Sequence, residues 1–322
     1  MADGVLLTIA VPTYNGERAI ARCLASILPE LRPGVELLVS DNASEDGTAD
    51  VVRAATADAP GLHYMRNEEN VGFDRNIDLC LQRAKGEFVW IIADDDIICR
   101  PGAVARVLEA IRVCPDAAVI YADSRHPIFL DPADSGTCKD AADFLRKSRF
   151  KSGLISSNIF RRDAWQAVAV SRYFGSGWVH MGFLVEALVR YPSYVICEEL
   201  VAQLVLEDRT GIARWGGTGS FLKTGLNLVR IYRTMPLLGY DSATVRAAYM
   251  TIKGGYPRFI PLAKAKGLRV DIPLIRECME LYRSFPSFWL VDLPLLLLPG
   301  WIFRGARRVL HLTTPMEKVH DH

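Results

Sequence analysis

Three consecutive carboxylates, Asp94, Asp95 and Asp96, close the apolar run Phe88–Ile92. Adjacent carboxylates repel one another, and a hard cation with oxygen ligands relieves that repulsion. Other residues of useful chemistry stand at similar places, each just after an apolar run or a turn. Asp41 can accept an N–H from a pyrimidine or guanine edge. Tyr14 can lie against the flat face of a base, and Arg75 can pair bidentately with a phosphate. In extended geometry Asp94 and Asp96 point to the same side. One can then take ribose hydroxyls and the other Mg²⁺ or Mn²⁺, which would bridge phosphate oxygens and stabilise a leaving diphosphate. Together these groups suit a nucleotide-diphosphate donor. Each also has a plainer reading. Asp41 is a common turn residue, Arg75 could pair with Asp74 or Asp78, Tyr14 could be a core aromatic, and Asp94–Asp96 could be a solvated turn leading into the helix near Pro101.

The elements that must position these residues alternate. Apolar runs at Val5–Val11, Val35–Ser40, Leu62–Arg66, Glu87–Ala93 and Ala117–Tyr121 read as strands. Helical spacing follows over Arg18–Leu28, Thr48–Ala57, Phe73–Ala84 and Gly102–Val113. This order predicts an α/β fold with a mainly parallel sheet and helices on both faces. Ligands of such sheets bind beyond the carboxyl ends of the strands. Thr13, Tyr14, Asp41, Arg75 and Asp94–Asp96 should therefore gather on one rim. From Asp123 to Arg149 the pattern weakens into loop signals. Gly153–Arg161 reads as a strand, Asp163–Val170 and His180–Arg190 as helices, and Tyr194–Cys197 and Val201–Leu206 as two more strands. Beyond a linker at Asp208–Gly219 the chain is mostly helical.

The 322 residues carry a formal net charge of +1, so no global field points to nucleic acid. The 7 cysteines are scattered without a Cys-x-x-Cys pair, which argues for reduced thiols and a cytoplasmic setting. Val5–Val11 is too short for a signal sequence and reads as the first strand. The expected organisation is one α/β domain over residues 1–217, with a nucleotide-binding part at 1–125 and an acceptor part at 126–217. A helical region fills 218–322. Within it, residues 285–308 are rich in Phe, Trp, Leu and Pro and end on Arg304, Arg307 and Arg308. Asp292, Pro294 and Pro299 argue against a regular spanning helix. The composition suits peripheral contact at the inner face of the plasma membrane, or packing on protein.

Val11-Pro12-Thr13-Tyr14-Asn15, Ser40-Asp41-Asn42-Ala43-Ser44, Asn70-Val71-Gly72 with Arg75-Asn76, and the Asp94–Asp96 cluster stand in this order. That series resembles the family 2 glycosyltransferases of GT-A fold, over about the first 125 residues. The later layout is similar to a bacterial branch with abequosyltransferase-like enzymes of surface polysaccharide synthesis. The resemblance implies an inverting, metal-dependent transfer from a nucleotide sugar to a hydroxyl, here of a glycan or lipid-linked glycan. It implies that Thr13, Tyr14 and Asp41, with Pro12 and Asn15 of the same motif, hold the nucleotide. Arg75 would lie near the diphosphate. Asp94 and Asp95 would contact the nucleotide sugar, with Asp96 and Asp94 on Mg²⁺ or Mn²⁺. Ala93 stands where many members carry the first Asp of Asp-x-Asp. A non-catalytic nucleotide-sugar-binding protein and a sugar-nucleotide nucleotidyltransferase are the competing readings. The first strand is followed by neither a Gly-x-Gly-x-x-Gly motif nor a Gly-Lys-Ser/Thr ending.

Many members also carry a Glu-Asp pair after the sixth or seventh strand. Gly175-Ser176-Gly177-Trp178-Val179-His180 stands there instead. His180 is then the candidate general base, on a helix face with Phe183, Leu184, Ala187 and Leu188. A buried core histidine is the competing reading, and Glu198, Glu199 and Asp208 are the alternative bases.

Overall fold

The computed structural model describes residues 4–56, 61–124, 131–203, 218–254, 256–265 and 267–304. The chain forms two compact units. One holds the chain through the last strand together with Thr234–Val245, and the other holds the remaining C-terminal segments. The boundary expected near Gly217 lies outside the described residues.

The first unit is built on one sheet. Its strands are β1 (Leu7–Thr13), β2 (Val35–Asp41), β3 (Leu62–Arg66), β4 (Phe88–Ile91), β5 (Asp96–Ile98), β6 (Val119–Ser124), β7 (Gly136–Thr137), β8 (Asn158–Arg161) and β9 (Ser193–Gln203). They run in the order β3-β2-β1-β4-β8-β6-β9-β5, with β7 added alongside β9. β1 to β4 are mutually parallel, as the alternation predicts. β8 then inserts antiparallel between β4 and β6, and β5 and β7 pair antiparallel with β9. The sheet is therefore mixed.

Strand alternation divides the apolar residues between the two faces. Leu7, Ile9, Val11, Leu37, Val39, Phe88 and Trp90 share a core with Ile20, Cys23, Leu24 and Ile27 of α1 (Glu17–Ile27) and Val104, Val107 and Ile111 of α4 (Ala103–Val113). α2 (Thr48–Thr56) lies beside α1. Phe160 points to the other face, where it meets Trp165 of α6 (Arg162–Gln166) and Phe183 of α7 (Val179–Ala187), with ring centroids 4.8–5.4 Å apart. α3 (Phe73–Arg83) is on the chain before β4, and α5 (Ala141–Lys147) follows β7.

Two expectations for the later chain change. The strand expected over Gly153–Arg161 is shorter, because residues 155–157 form a 3-10 turn before β8. The two strands expected at 194–197 and 201–206 are one, β9, carried through a bulge opposite Ala122–Ser124. Glu198 and Glu199 sit at that bulge and mask the continuity in the sequence.

In the second unit, α8 (Thr218–Tyr232), α9 (Ser242–Lys253, from Arg246 on), α10 (Tyr256–Ala265) and α11 (Ile272–Tyr282) pack around Leu222, Leu226, Val229, Ile260, Leu274, Cys278 and Tyr282. The Asp271 carboxylate caps α11 by accepting the Leu274 N–H. A π-helical turn (Phe288–Asp292) and α12 (Leu293–Leu297) close the described chain's apolar segment.

Candidate active site

Sheet register sets the rim. β1 pairs β2 in a frame that places Thr13 opposite Asp41, and β2 pairs β3 so that Asp41 faces Arg66. β1 pairs β4 at Ala10 and Ile91, and continuing that register brings Thr13 level with Asp94. The Thr13 hydroxyl donates to Asp94 Oδ2 at 2.5 Å. A Cβ added at Gly16 would fall onto that carboxylate and hydroxyl, which accounts for glycine there.

The three carboxylates do not continue as an extended strand. The Asp96 N–H donates to the Ala93 carbonyl at 2.9 Å, closing a turn. The same-side geometry expected of Asp94 and Asp96 therefore does not form, and each side chain finds its own environment. Asp94 is buried against Thr13. Asp96 is 1% exposed, accepts the Ser156 hydroxyl at Oδ2, and leaves Oδ1 buried without a hydrogen-bond partner. Burial, with Asp95 and Asp94 adding repulsion, pushes the Asp96 carboxyl up to about 7. Asp95 is half-buried and is the most open of the three. Beneath them, burial and the same three charges raise the Cys23 thiol, which donates to the Ala93 carbonyl.

Asp41 is fully enclosed. Its Oδ1 accepts the Ser44 N–H at 2.8 Å, and its Oδ2 accepts the Tyr64 hydroxyl at 2.6 Å and an Arg66 N–H at 3.4 Å. These bonds make it shape the 41–48 loop from behind, the geometry that the plainer turn reading expects. In that loop Ala43 has φ +62°, and Asn15 across from it has φ +51°. Left-handed backbone costs a non-glycine residue roughly 1–2 kcal/mol. The two strained segments hold each other: the Asn15 N–H donates to Ser44 Oγ and the Glu45 N–H to Asn15 Oδ1. Pro12 is buried in β1, and Tyr14 is half-buried at its end. An amide network of Asn42, Asn67, Asn70 and Asn76 ties this loop to the chain between β3 and α3.

Arg75 is exposed at the start of α3, its guanidinium 5.5 Å from the centroid of the Phe174 ring. Neither acidic neighbour takes it. Asp74 accepts the N–H groups of Gly177 at 2.9 Å and Val179 at 3.1 Å. Asp78 accepts from Trp165 and Gln82. No carboxylate among the described residues pairs with Arg75. Asp74 and Ser156 are the residues that sequence reasoning missed. Both act on segments distant in the chain, and only the position of Asp74 beside Arg75 hinted at a role.

His180 lies inside a buried helix. α7 is buried on all sides, so no single stripe aims His180 at a cleft. The ring is 2% exposed, with Nε2 3.1 Å from the Gly153 carbonyl and Nδ1 unpartnered. Such an enclosed imidazole is what the competing reading, a core histidine, expects. Of the alternative bases, Glu198 is held by Arg106 at 2.6 Å and Arg100 at 3.4 Å, and Glu199 is half-buried on β9. Asp208 lies outside the described residues.

Burial pushes His180 down to about 4, the Gly153 carbonyl offsetting only part of the effect. The unfolded chain, with a histidine near 6.5, then takes up this proton first. Stability from this residue is complete above pH 6.5 and falls as the pH drops toward 4. Between pH 7 and 4.5 the loss should be on the order of 2–3 kcal/mol. Denaturation of the parent and of His180→Asn at both pH values checks this. The variant should lose that much less, and equal losses would assign the acid sensitivity elsewhere.

Among the described residues no group of three or more His, Cys, Asp or Glu side chains is set to hold a metal. A cation that keeps several waters and completes its shell with substrate phosphates needs only one or two carboxylates. Asp95, the one half-buried carboxylate of the turn, fits that kind of site, with the enclosed Asp96 behind it.

Residues 8–151 match the family described as Glycosyl transferase family 2. Abequosyltransferase RfbV of Salmonella typhimurium is 32% identical over 100 residues, 30% of this chain and 30% of that protein. The chain thus spans about 30% of the length of the curated relatives it matches first. The crystal structure of S. aureus TarS 1-349 in complex with UDP-GlcNAc is 14% identical, with a TM-score of 0.65 over 94% of this chain and 92% of that one. Mannosyltransferase PcManGT from Pyrobaculum calidifontis, in complex with GDP-Man and Mn²⁺, is 18% identical, with a TM-score of 0.53 over 95% of this chain and 87% of that one. These likenesses at low identity extend the fold beyond the matched family segment. Residues 8–151 belong to glycosyl transferase family 2, carried on a GT-A fold.

Proposed function

We propose that the chain is an inverting glycosyltransferase. It moves a sugar from a nucleotide-diphospho-sugar to the hydroxyl of a glycan, carried on a lipid at the cytoplasmic face of a membrane. The observation that carries this reading is the charge distribution on the rim. Arg75, exposed at the start of the helix after β3 and with no carboxylate partner among the described residues, and the acidic turn after β4, with Asp95 half-buried, both follow strands of the same parallel group. A leaving diphosphate is stabilised by cationic contacts, from a guanidinium or from a bound metal ion. The UDP-GlcNAc and GDP-Man–Mn²⁺ complexes of the fold relatives support the same donor chemistry.

In this reading Thr13, Tyr14, Asn15 and the loop pinned by Asp41 frame the nucleoside, with Pro12 fixing the end of β1. Arg75 holds the diphosphate. Mg²⁺ or Mn²⁺ would sit on Asp95, supplying charge stabilisation of the leaving diphosphate. Asp94 and Asp96 shape the turn from within. Residues 285–304 support the membrane part. Phe288, Asp292 and Leu296 face inward, whereas Leu290, Leu297 and Trp301 are 78%, 62% and 66% exposed. No helix among the described residues is long and apolar enough to span a membrane, so contact would be interfacial. Arg307 and Arg308 lie outside the described residues.

The test is a donor screen by thermal shift with Mn²⁺ present, followed by assay of nucleotide release. A donor at about 100 times its dissociation constant should stabilise by about 2.7 kcal/mol. Stabilisation with nucleotide release supports transfer. Stabilisation without release, across acceptors, would favour a nucleotide-sugar-binding protein.

A further inference from the structure

We infer that the second unit carries a binding pocket for the phosphate of an anionic membrane lipid. The proposal rests on the membrane-contact reading of residues 285–304 and gives that contact a chemical specificity. The pocket encloses about 710 Å³ between the end of α10, the 267–270 segment, α11 and the chain after α12. Among the described residues three cations line it, Lys264, Arg269 and Arg304, and no acidic residue does. The rest of the wall is largely aliphatic, with Leu268, Val270, Ile275 and Leu296–Leu298.

The two arginines are not explained by the fold. No carboxylate among the described residues pairs with Arg269 or Arg304, and both are exposed. Lys264 is buried, donates to the Leu296 carbonyl, and lies 5.9 Å from the Phe303 ring centroid. Burying an ammonium beside aliphatic side chains is costly without an anion. Like charges gathered on one pocket repel and are stabilised by an anion. A free phosphate would satisfy the cations but leave the aliphatic wall wet. A phosphate on an acyl chain satisfies both, with the headgroup against Arg269 and Arg304 and the chain along Leu296–Leu298. Leu297 and Trp301, exposed at the same turn, would enter the interface beside it.

The test uses the full chain and sedimentation with vesicles. One set is phosphatidylcholine alone, and the other contains phosphatidylglycerol at roughly one third, enough to give an anionic surface. Arg269→Gln with Arg304→Gln should weaken binding to the anionic vesicles by about thirtyfold, each cation near the surface counting for about fivefold. Both side chains are exposed, so melting temperature should be unchanged. Arg276→Gln with Arg283→Gln removes the same charge from exposed positions outside the pocket and should cost much less. Equal losses in the two double variants, or none in the first, would overturn the pocket in favour of diffuse charge. Soluble dihexanoyl phosphatidylglycerol should compete with the vesicles far better than inorganic phosphate. Equal competition would overturn the lipid as occupant and leave a free-phosphate site. Failure of the parent to bind either vesicle sinks the membrane reading itself. Binding to neutral vesicles with no anionic preference sinks only the pocket.

Discussion

Asp95→Ala should lower kcat/KM by about a thousandfold, the ~4 kcal/mol that a bridging metal supplies to a leaving diphosphate. The fold should survive, because Asp95 is the half-buried member of the acidic turn and its neighbours hold the turn's hydrogen bonds. The companion variant is Asp96→Asn. It keeps an oxygen for the Ser156 hydroxyl, so the turn between β4 and β5 should stay in place. The two variants separate a residue that faces the cation from one that supports it. In Asp95→Ala, the Mn²⁺ concentration needed for half-maximal rate should rise or the metal response should vanish. In Asp96→Asn the metal response should persist. If Asp96→Asn instead loses the metal response and Asp95→Ala keeps it, the cation belongs on Asp96. Full activity of the parent in excess chelator would remove the metal from the reaction altogether.

The division of labour among these three aspartates was only half legible in the sequence. Their place at a strand end follows from Phe88–Ile92, which is buried on both faces and so reads as a continuous apolar run. The same signal made β1 and β2 readable, whereas β3, a largely exposed edge strand, carries it only weakly. What the sequence hides is contact across long separations. Ser156 meets Asp96 from 60 residues away, and Asp74 reaches the 177–179 backbone from α3. Neither leaves a local pattern. β5 is too short to show alternation and begins inside the acidic cluster. α7 misled for the opposite reason. A helix buried all round has no stripe, so any apolar spacing drawn through His180 looks like a face. Glu186 completes that burial, its carboxylate held by Arg172, Tyr173 and Arg190. The C-terminal segment was readable in its composition. Asp292 was legible as a break in an apolar stretch, but its partner was not.

That partner is Lys253, and breaking the pair should unfold part of the second unit. Asp292 is fully buried in the π-helical turn, and the buried Lys253 ammonium at the end of α9 is its counter-charge. Around it lie Phe288 and Leu296, also buried. Asp292→Ala leaves an ammonium in that apolar setting without an anion. The expected destabilisation is about 3–5 kcal/mol, the usual cost of removing one partner of a buried pair. Taking two charges out of water offsets most of what their attraction returns. The double variant Lys253→Met with Asp292→Leu should therefore sit near the parent in stability, or above it. Because the chain has two compact units, hydrogen exchange resolves the effect better than a single melting point. Peptides from α9 and from 288–297 should exchange faster in Asp292→Ala, while peptides from β1 and β4 keep the parent's protection. In the double variant both sets should return to parent rates. If Asp292→Ala costs less than about 1 kcal/mol, within the range of an exposed pair, the pair is not buried in solution. The apolar segment would then be held by Phe288 and Leu296 alone.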